Sequence, residues 1–182
     1  MLARALVHVV VFAAAVAARR PKAPLWSAAL LCAAALALAP PARADDAVLD
    51  RFVGTWRTEM RISDTTQRGE AVGRRVLAGA YVEVRTRAVP AGAEELQLMT
   101  WDAAAGLYRQ WVFDSEGYRH SADGRWDATT STLRWEGTRD GARFVIDDHF
   151  ATPDRLDWTL RRADAAGALV PRVTGTLLRS KP

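Results

Sequence analysis

Cysteine is almost missing from this chain: its 182 residues hold one, Cys32, inside an apolar stretch near the N-terminus. A disulfide framework and a thiolate metal site are therefore excluded from everything downstream. Lysine is scarce too, and after residue 44 only Lys181 remains, so arginine carries nearly all the positive charge. The basic balance itself disappears once the N-terminus is set apart. Residues 1–44 contain five of the 25 basic residues and no acid, which leaves 20 basic against 21 acidic residues in 45–182. A nucleic-acid partner calls for clustered Arg or Lys on a basic domain, and here bases and acids are interspersed. The motifs of catalysis are also lacking. Ser115 sits in a turn with no Gly-x-Ser-x-Gly elbow, and there is neither a phosphate loop nor a dinucleotide fingerprint.

What is present begins with an export signal. Arg19, Arg20 and Lys22 form a positive flank, and Leu25 to Ala39 is an apolar run short for a bilayer span. Ala42-Arg43-Ala44 fits an A-x-A cleavage site. Residues 1–44 thus read as a signal region and 45–182 as one exported domain, periplasmic or secreted from a bacterium, with no stable membrane span after cleavage. A second apolar run, Leu6 to Ala18, is more than a signal requires and points to a translation start further downstream, for example at Val16; a membrane hairpin is the alternative.

The mature part is long enough for one core. Asp46 to Phe52 has room for a helical turn or two. From Thr55 onward, short alternating segments are punctuated by turn residues, as in all-β sandwiches and barrels. Trp56, Thr58, Met60 and Ile62 share one face of the first segment, opposite Arg57, Glu59 and Arg61. Asp64 to Gly69 reads as a polar turn, and Asp123-Gly124 and Asp140-Gly141 as hairpin turns. The count is about nine or ten antiparallel strands in a meander. Unpaired edges invite aggregation, so a closed barrel is favoured over a sandwich.

Gly54-Thr55-Trp56 at the start of the first strand resembles the G-x-W signature of lipocalins and the wider calycin superfamily. The resemblance implies a barrel of about 8–10 strands with a short N-terminal helix, in which Gly54 and Trp56 are structural and Arg179, near the end of the last strand, lies against Trp56. The chain is also similar to an uncharacterised bacterial family of calycin-like domains. The matching residues are Leu49, Phe52, Gly54 and Trp56, then Thr100, Trp101, Asp102, Gly106 and Tyr108, then Trp111, Phe113-Asp114-Ser115, Gly117, Gly124, Trp126-Asp127 and Thr132-Leu133. That family carries no activity to transfer. Haem-binding calycins of the nitrobindin type are a functional cousin, but Arg57-Thr58-Glu59-Met60 replaces their glycine-rich continuation of G-x-W.

Alternation then aims the candidate site residues. With Phe144, Ile146 and Phe150 inward, Asp148 is carried inward, and Asp147 and His149 outward. An outward His149 is wrongly placed for an axial haem ligand, and no second pair of metal ligands accompanies it. A buried Asp148 needs a structural Arg, a place near a wet barrel mouth, or a polar ligand to orient. Trp135 and Trp158 should face inward, while Trp101 and Trp111 depend on the hairpin register. Glu94-Glu95 reads as a solvated turn and His120 as exposed loop.

These residues support an exported protein that binds a small apolar or amphipathic molecule without transforming it. Thr58, Met60, Trp135, Asp148 and Trp158 form the expected wall, and no metal or cofactor is expected. Two alternatives stay open: a structural or envelope protein-interaction module with a filled barrel, and a haem-binding protein.

Overall fold

The computed structural model describes residues 44–89 and 92–181, with side chains from Ala47. The expected signal region, its apolar runs and Cys32 lie outside the described residues, as do Pro90 and Ala91. Residues 42–182 form one compact unit. A seven-residue helix, α1 (Ala44–Asp50), leads into ten strands. These are β1 (Gly54–Ile62), β2 (Thr65–Val76), β3 (Tyr81–Val89), β4 (Glu94–Asp102), β5 (Leu107–Asp114), β6 (Arg119–Asp127), β7 (Thr132–Arg139), β8 (Ala142–Thr152), β9 (Arg155–Ala163) and β10 (Leu169–Arg179). Each strand pairs antiparallel with the next, and β10 pairs with β1, so the meander closes into a ten-stranded barrel without an edge.

Two turn expectations need correction. Asp64 to Gly69 is not a turn, because β2 already begins at Thr65 and the chain reverses over Ser63 and Asp64 alone. Asp123-Gly124 is not a hairpin either: both residues lie within β6. Gly124 serves a packing need there, since a Cβ at that position would lie 2.6 Å from the Trp135 ring. Asp140-Gly141 does turn the chain, with φ of 49° and 73°. Two successive positive φ values match the twist of the flanking strands.

One end of the barrel is plugged. A helix as short as α1 is marginal alone and depends on packing. Its Val48 and Leu49, with Phe52 just beyond, are at most 6% exposed and join Trp56, Leu133, Phe150 and Leu156 in the core. The Phe52 ring meets Phe150 edge-on at 5.1 Å. The Trp56 indole donates a 3.0 Å hydrogen bond to the Phe52 carbonyl, and the Arg179 guanidinium stacks 4.1 Å from the Trp56 ring centre. Arg179 also donates to the carbonyls of Val53 (2.6 Å), Arg51 (3.2 Å) and Pro153 (3.3 Å). The last strand therefore holds together the entry to the first strand and the β8–β9 turn.

The outer face is dominated by ion pairs. Glu83 is gripped by Arg74 and Arg85, each at 2.8 Å, and the hydrogen bond from Arg85 leads in holding its carboxyl below the usual range. Asp147 pairs with Arg134 and Arg161, and Asp157 with Arg155. Exposed pairs of this kind contribute little stability individually, but they mark a water-facing wall. Among the described residues no helix is long and apolar enough to cross a membrane.

Candidate functional site in the barrel interior

The strand register determines which side chains line the interior. Met60 pairs with Gly175, Gly175 with Trp158, Trp158 with Asp148, and Asp148 with Leu133. Because residues two apart share a face, all five expected wall residues turn inward: Thr58, Met60, Trp135, Asp148 and Trp158. They do not share one environment. Trp135 is fully buried and belongs to a sealed layer with Trp56, Met99 and Leu133, all at most 1% exposed. Thr58, Met60, Ile146, Trp158, Leu160, Val173 and Leu177 also face inward, yet each keeps partial solvent exposure. An inward side chain that water can reach borders open space. The interior is thus sealed around Trp135, which is floor rather than wall, and water-accessible along β9, β10 and β1, while Val112 and Phe144 across the barrel stay buried.

The open half has two unlike sides. Strands β8 to β10 and β1 contribute Ile146, Trp158, Leu160, Val173 and Met60. Strands β3 to β6 turn inward the water-accessible Thr86, Gln97 and Glu95, beside the buried Val84, Val112 and Gln110 and a His120 whose ring nitrogens are covered. A lumen with one apolar and one polar side suits an amphipathic occupant better than a pure hydrocarbon.

Asp148 lies at the floor of this space, 6% exposed. Its partner is neither an arginine nor bulk water at the mouth but the Trp135 indole, which donates to Oδ2 at 2.8 Å. Burial raises its pKa from the ordinary 3.8 to about 7, the Trp135 bond opposes the rise, and the charge of Glu95 adds to it. Glu95 is four strands away around the barrel, turned inward by its pairing with Thr86 and Asp114. Glu95 is exposed to water, one residue from the start of β4. Desolvation raises its pKa, with a smaller contribution from Asp114, its cross-strand neighbour.

The turn expected at Glu94-Glu95 is corrected: both stand in β4, Glu95 opposite Asp114, and both are exposed to solvent. His120 is corrected likewise. It lies in β6 rather than in a loop, and its ring packs against Phe144 (5.0 Å) and Tyr118 (5.3 Å), with both nitrogens buried and unpartnered. Desolvation first, and the charge of Arg139 second, lower its pKa from 6.5 to about 4. Gln110, which sequence reasoning did not single out, is 1% exposed, and its side-chain carbonyl has no donor. The available signal was alternation with Tyr108 and Val112, usable only once the β4–β5 register is known. That register also resolves the two open tryptophans. Trp101 faces inward against Tyr108 at 4.8 Å, and Trp111 faces outward against Tyr81 at 6.4 Å.

The Trp158 indole lies over Gly175, where an added Cβ would stand 2.3 Å from the indole nitrogen. Gly175→Ala is expected to push the ring into the lumen and cost about 1–3 kcal/mol. A lowered denaturation midpoint together with shifted tryptophan emission would show this; an unchanged midpoint and spectrum would refute the close seat.

His149 points away from the interior, with Nδ1 2.9 Å from the Thr130 carbonyl oxygen. A haem in the lumen could not be ligated by it, and the nitrogens of the inward His120 are covered by protein. Among the described residues no group of three or more metal-ligating side chains occurs. An open groove of about 440 Å³ at the plugged end, lined by Val48, Trp101, Tyr108 and Trp126 among others, contains none of the inward acceptors.

No protein-family model matches the sequence, and no curated protein is a significant match to it. Among solved structures, the chain is similar to the S-type phycobiliprotein lyase CPES from Guillardia theta. Identity there is 12% and TM-score 0.52, over 76% of this chain and 93% of that one. It is similar also to the protein Rv2717c from M. tuberculosis, with 16% identity and TM-score 0.51 over 74% of this chain and 96% of that one. At such identities the likeness is one of fold, and function must be argued from the site.

Proposed function

We propose that this protein is an exported, calycin-like carrier that binds a small amphipathic molecule in the open half of its barrel and does not transform it. The observation that supports this reading best is the contrast between the sealed layer around Trp56 and Trp135 and the water-accessible inward side chains beyond it, Met60, Ile146 and Trp158 among them. Barrels of about this strand number have room for one small ligand. Among the described residues, neither inward candidate base is set beside a nucleophile: Asp148 is bonded to an indole, and His120 is enclosed by rings. The phycobiliprotein lyase has a similar fold, but at 12% identity the likeness carries the fold alone. Export rests on the signal-like residues 19–44 of the sequence.

Titration of the mature protein with apolar and amphipathic compounds is expected to change tryptophan emission saturably, and Trp158→Phe to remove most of that change. Absence of saturable binding across a broad panel would overturn the carrier reading. It would favour the interaction-module alternative, for which one surface feature speaks. On the outer face of β4 and β5, Leu96 lies opposite Phe113 and Leu98 opposite Trp111, with Tyr81 alongside. Phe113 is 42% exposed, and a contiguous apolar strip of this kind can mark a contact surface.

A further inference from the structure

We propose that a second small-molecule site lies at the plugged end of the barrel, and that it takes a flat aromatic ring carrying a carboxylate. This goes beyond the carrier reading and does not rest on it. The site is the open groove of about 440 Å³ lined by Val48 of α1 and by Trp101, Tyr108, Arg125 and Trp126 of β4 to β6. Small-molecule sites typically measure about 300–1,000 Å³ and combine aromatic and apolar walls with a few polar groups. The groove shares no lining residue with the water-accessible lumen set of Met60, Trp158 and Val173. Trp101 tilts against Tyr108 at 4.8 Å, and Trp126 meets Phe150 edge-on at 6.2 Å, yet both indoles stay only half-buried. They leave aromatic surface for an occupant, and a planar ring gains from such contacts beyond the area it buries.

Charge decides the rest of the class. An indole face ordinarily attracts a cation, but that place is taken. The Arg51 guanidinium stands 5.1 Å from the Trp126 ring centre and 5.5 Å from that of Phe150. Arg125, in the groove lining itself, is exposed. Neither arginine has an acid partner among the described residues. The acids next to these groups in the chain are already engaged. Asp102 accepts from Arg109 and from the Ala104 and Ala105 amides, Asp127 from Thr129 and Thr130, and Asp50 from Arg75. A cation entering the groove would be repelled by two guanidinium groups and find no free carboxylate. A carboxylate is attracted, and the planar fork of arginine matches its geometry.

The test uses three ring-matched probes at pH 7 on the mature chain: naphthoate, naphthylmethanol and naphthylmethylammonium. Calorimetry is expected to show naphthoate binding about fivefold or more tighter than the alcohol, with the ammonium weakest. Arg51→Gln and Arg125→Gln together should bring naphthoate down to the affinity of the alcohol and leave the alcohol unchanged. Circular dichroism and an unfolding midpoint establish that the double variant is folded. Heteronuclear NMR of the indole N–H groups locates the probe: the Trp101 and Trp126 signals should shift with naphthoate, and the Trp158 signal should not. An alcohol or ammonium as tight as naphthoate would overturn the inference, as would undiminished naphthoate affinity in the double variant. Absence of saturable naphthoate binding up to about 1 mM would overturn it too. A shift at Trp158 alone would place naphthoate in the lumen, removing the second site while supporting the carrier reading.

Discussion

At pH 8, Asp148→Asn is expected to be more stable to denaturant than the unsubstituted protein by about 2–4 kcal/mol, and at pH 4 the two should unfold at nearly the same denaturant concentration. The direction follows from proton linkage. Burial lifts the Asp148 pKa from 3.8 to about 7, so between these values the folded protein holds a proton that the unfolded chain has released. Stability contributed by this group is complete below its unfolded pKa and is lost as pH rises through the folded one. The rise from 3.8 to about 7 sets a ceiling of about 4 kcal/mol. Asparagine removes the titration and retains an oxygen to accept from Trp135, whose indole lies 2.8 Å from Oδ2. Glu95, whose pKa is also raised by desolvation, adds a slope of the same sign that the substitution leaves in place.

His120 acts in the opposite sense. Its pKa falls from 6.5 to about 4, so between those values the unfolded chain binds the extra proton and acidification destabilises the fold. The two opposing slopes overlap, and the unsubstituted protein should show a weak dependence on pH across that range. Asp148→Asn should expose the acid-sensitive slope, and His120→Gln the one that weakens with rising pH. Equal pH profiles for all three proteins would mean that neither group is enclosed as described.

Trp56→Ala is expected to cost about 3–5 kcal/mol, the range for deleting a buried aromatic ring where surrounding structure cannot collapse. Trp56 is 1% exposed, sits under α1, and carries the Arg179 guanidinium on its face. Arg179→Lys should cost about 1–3 kcal/mol although charge is kept, because an ammonium cannot reproduce a planar fork that serves the Val53, Arg51 and Pro153 carbonyls while stacking on a ring. Denaturant midpoints of the single and double variants give the coupling, expected at about 1–2 kcal/mol. Strictly additive effects would show that the guanidinium and the indole act independently.

Much of the fold is legible because a strand announces itself locally. Period-two alternation in Trp56 to Ile62 and in Phe144 to Phe150 assigns faces without reference to any partner, and so Trp56, Asp148 and the outward His149 could be aimed from neighbouring residues alone. Asp140-Gly141 could be read as a turn because two adjacent positive φ values suit that dipeptide. The same logic misplaces Asp123-Gly124: its glycine answers to the Trp135 ring on the next strand, and a cross-strand contact leaves no trace in local sequence. Glu95 and His120 escaped for a related reason. Each begins a strand beside charged turn residues, and only the pairing of β4 with β5 and of β5 with β6 turns them inward.

By itself, then, the sequence determined an all-β chain, the facing of side chains in its clearly alternating strands such as Trp56 to Ile62 and Phe144 to Phe150, and a first strand anchored by Trp56 with Arg179 available to meet it. Tertiary structure alone decided which inward residues are sealed and which are wet. That division depends on the stagger of ten strands around a closed barrel and on the docking of α1 at one end, and neither is a property of any short stretch of chain. It places Trp135 in the floor and Trp158 in the wall, although both alternate identically along their strands. It also sets Glu95 and Asp148 on strands four apart around the barrel, 53 positions apart in the chain, a relation that no local pattern could reveal.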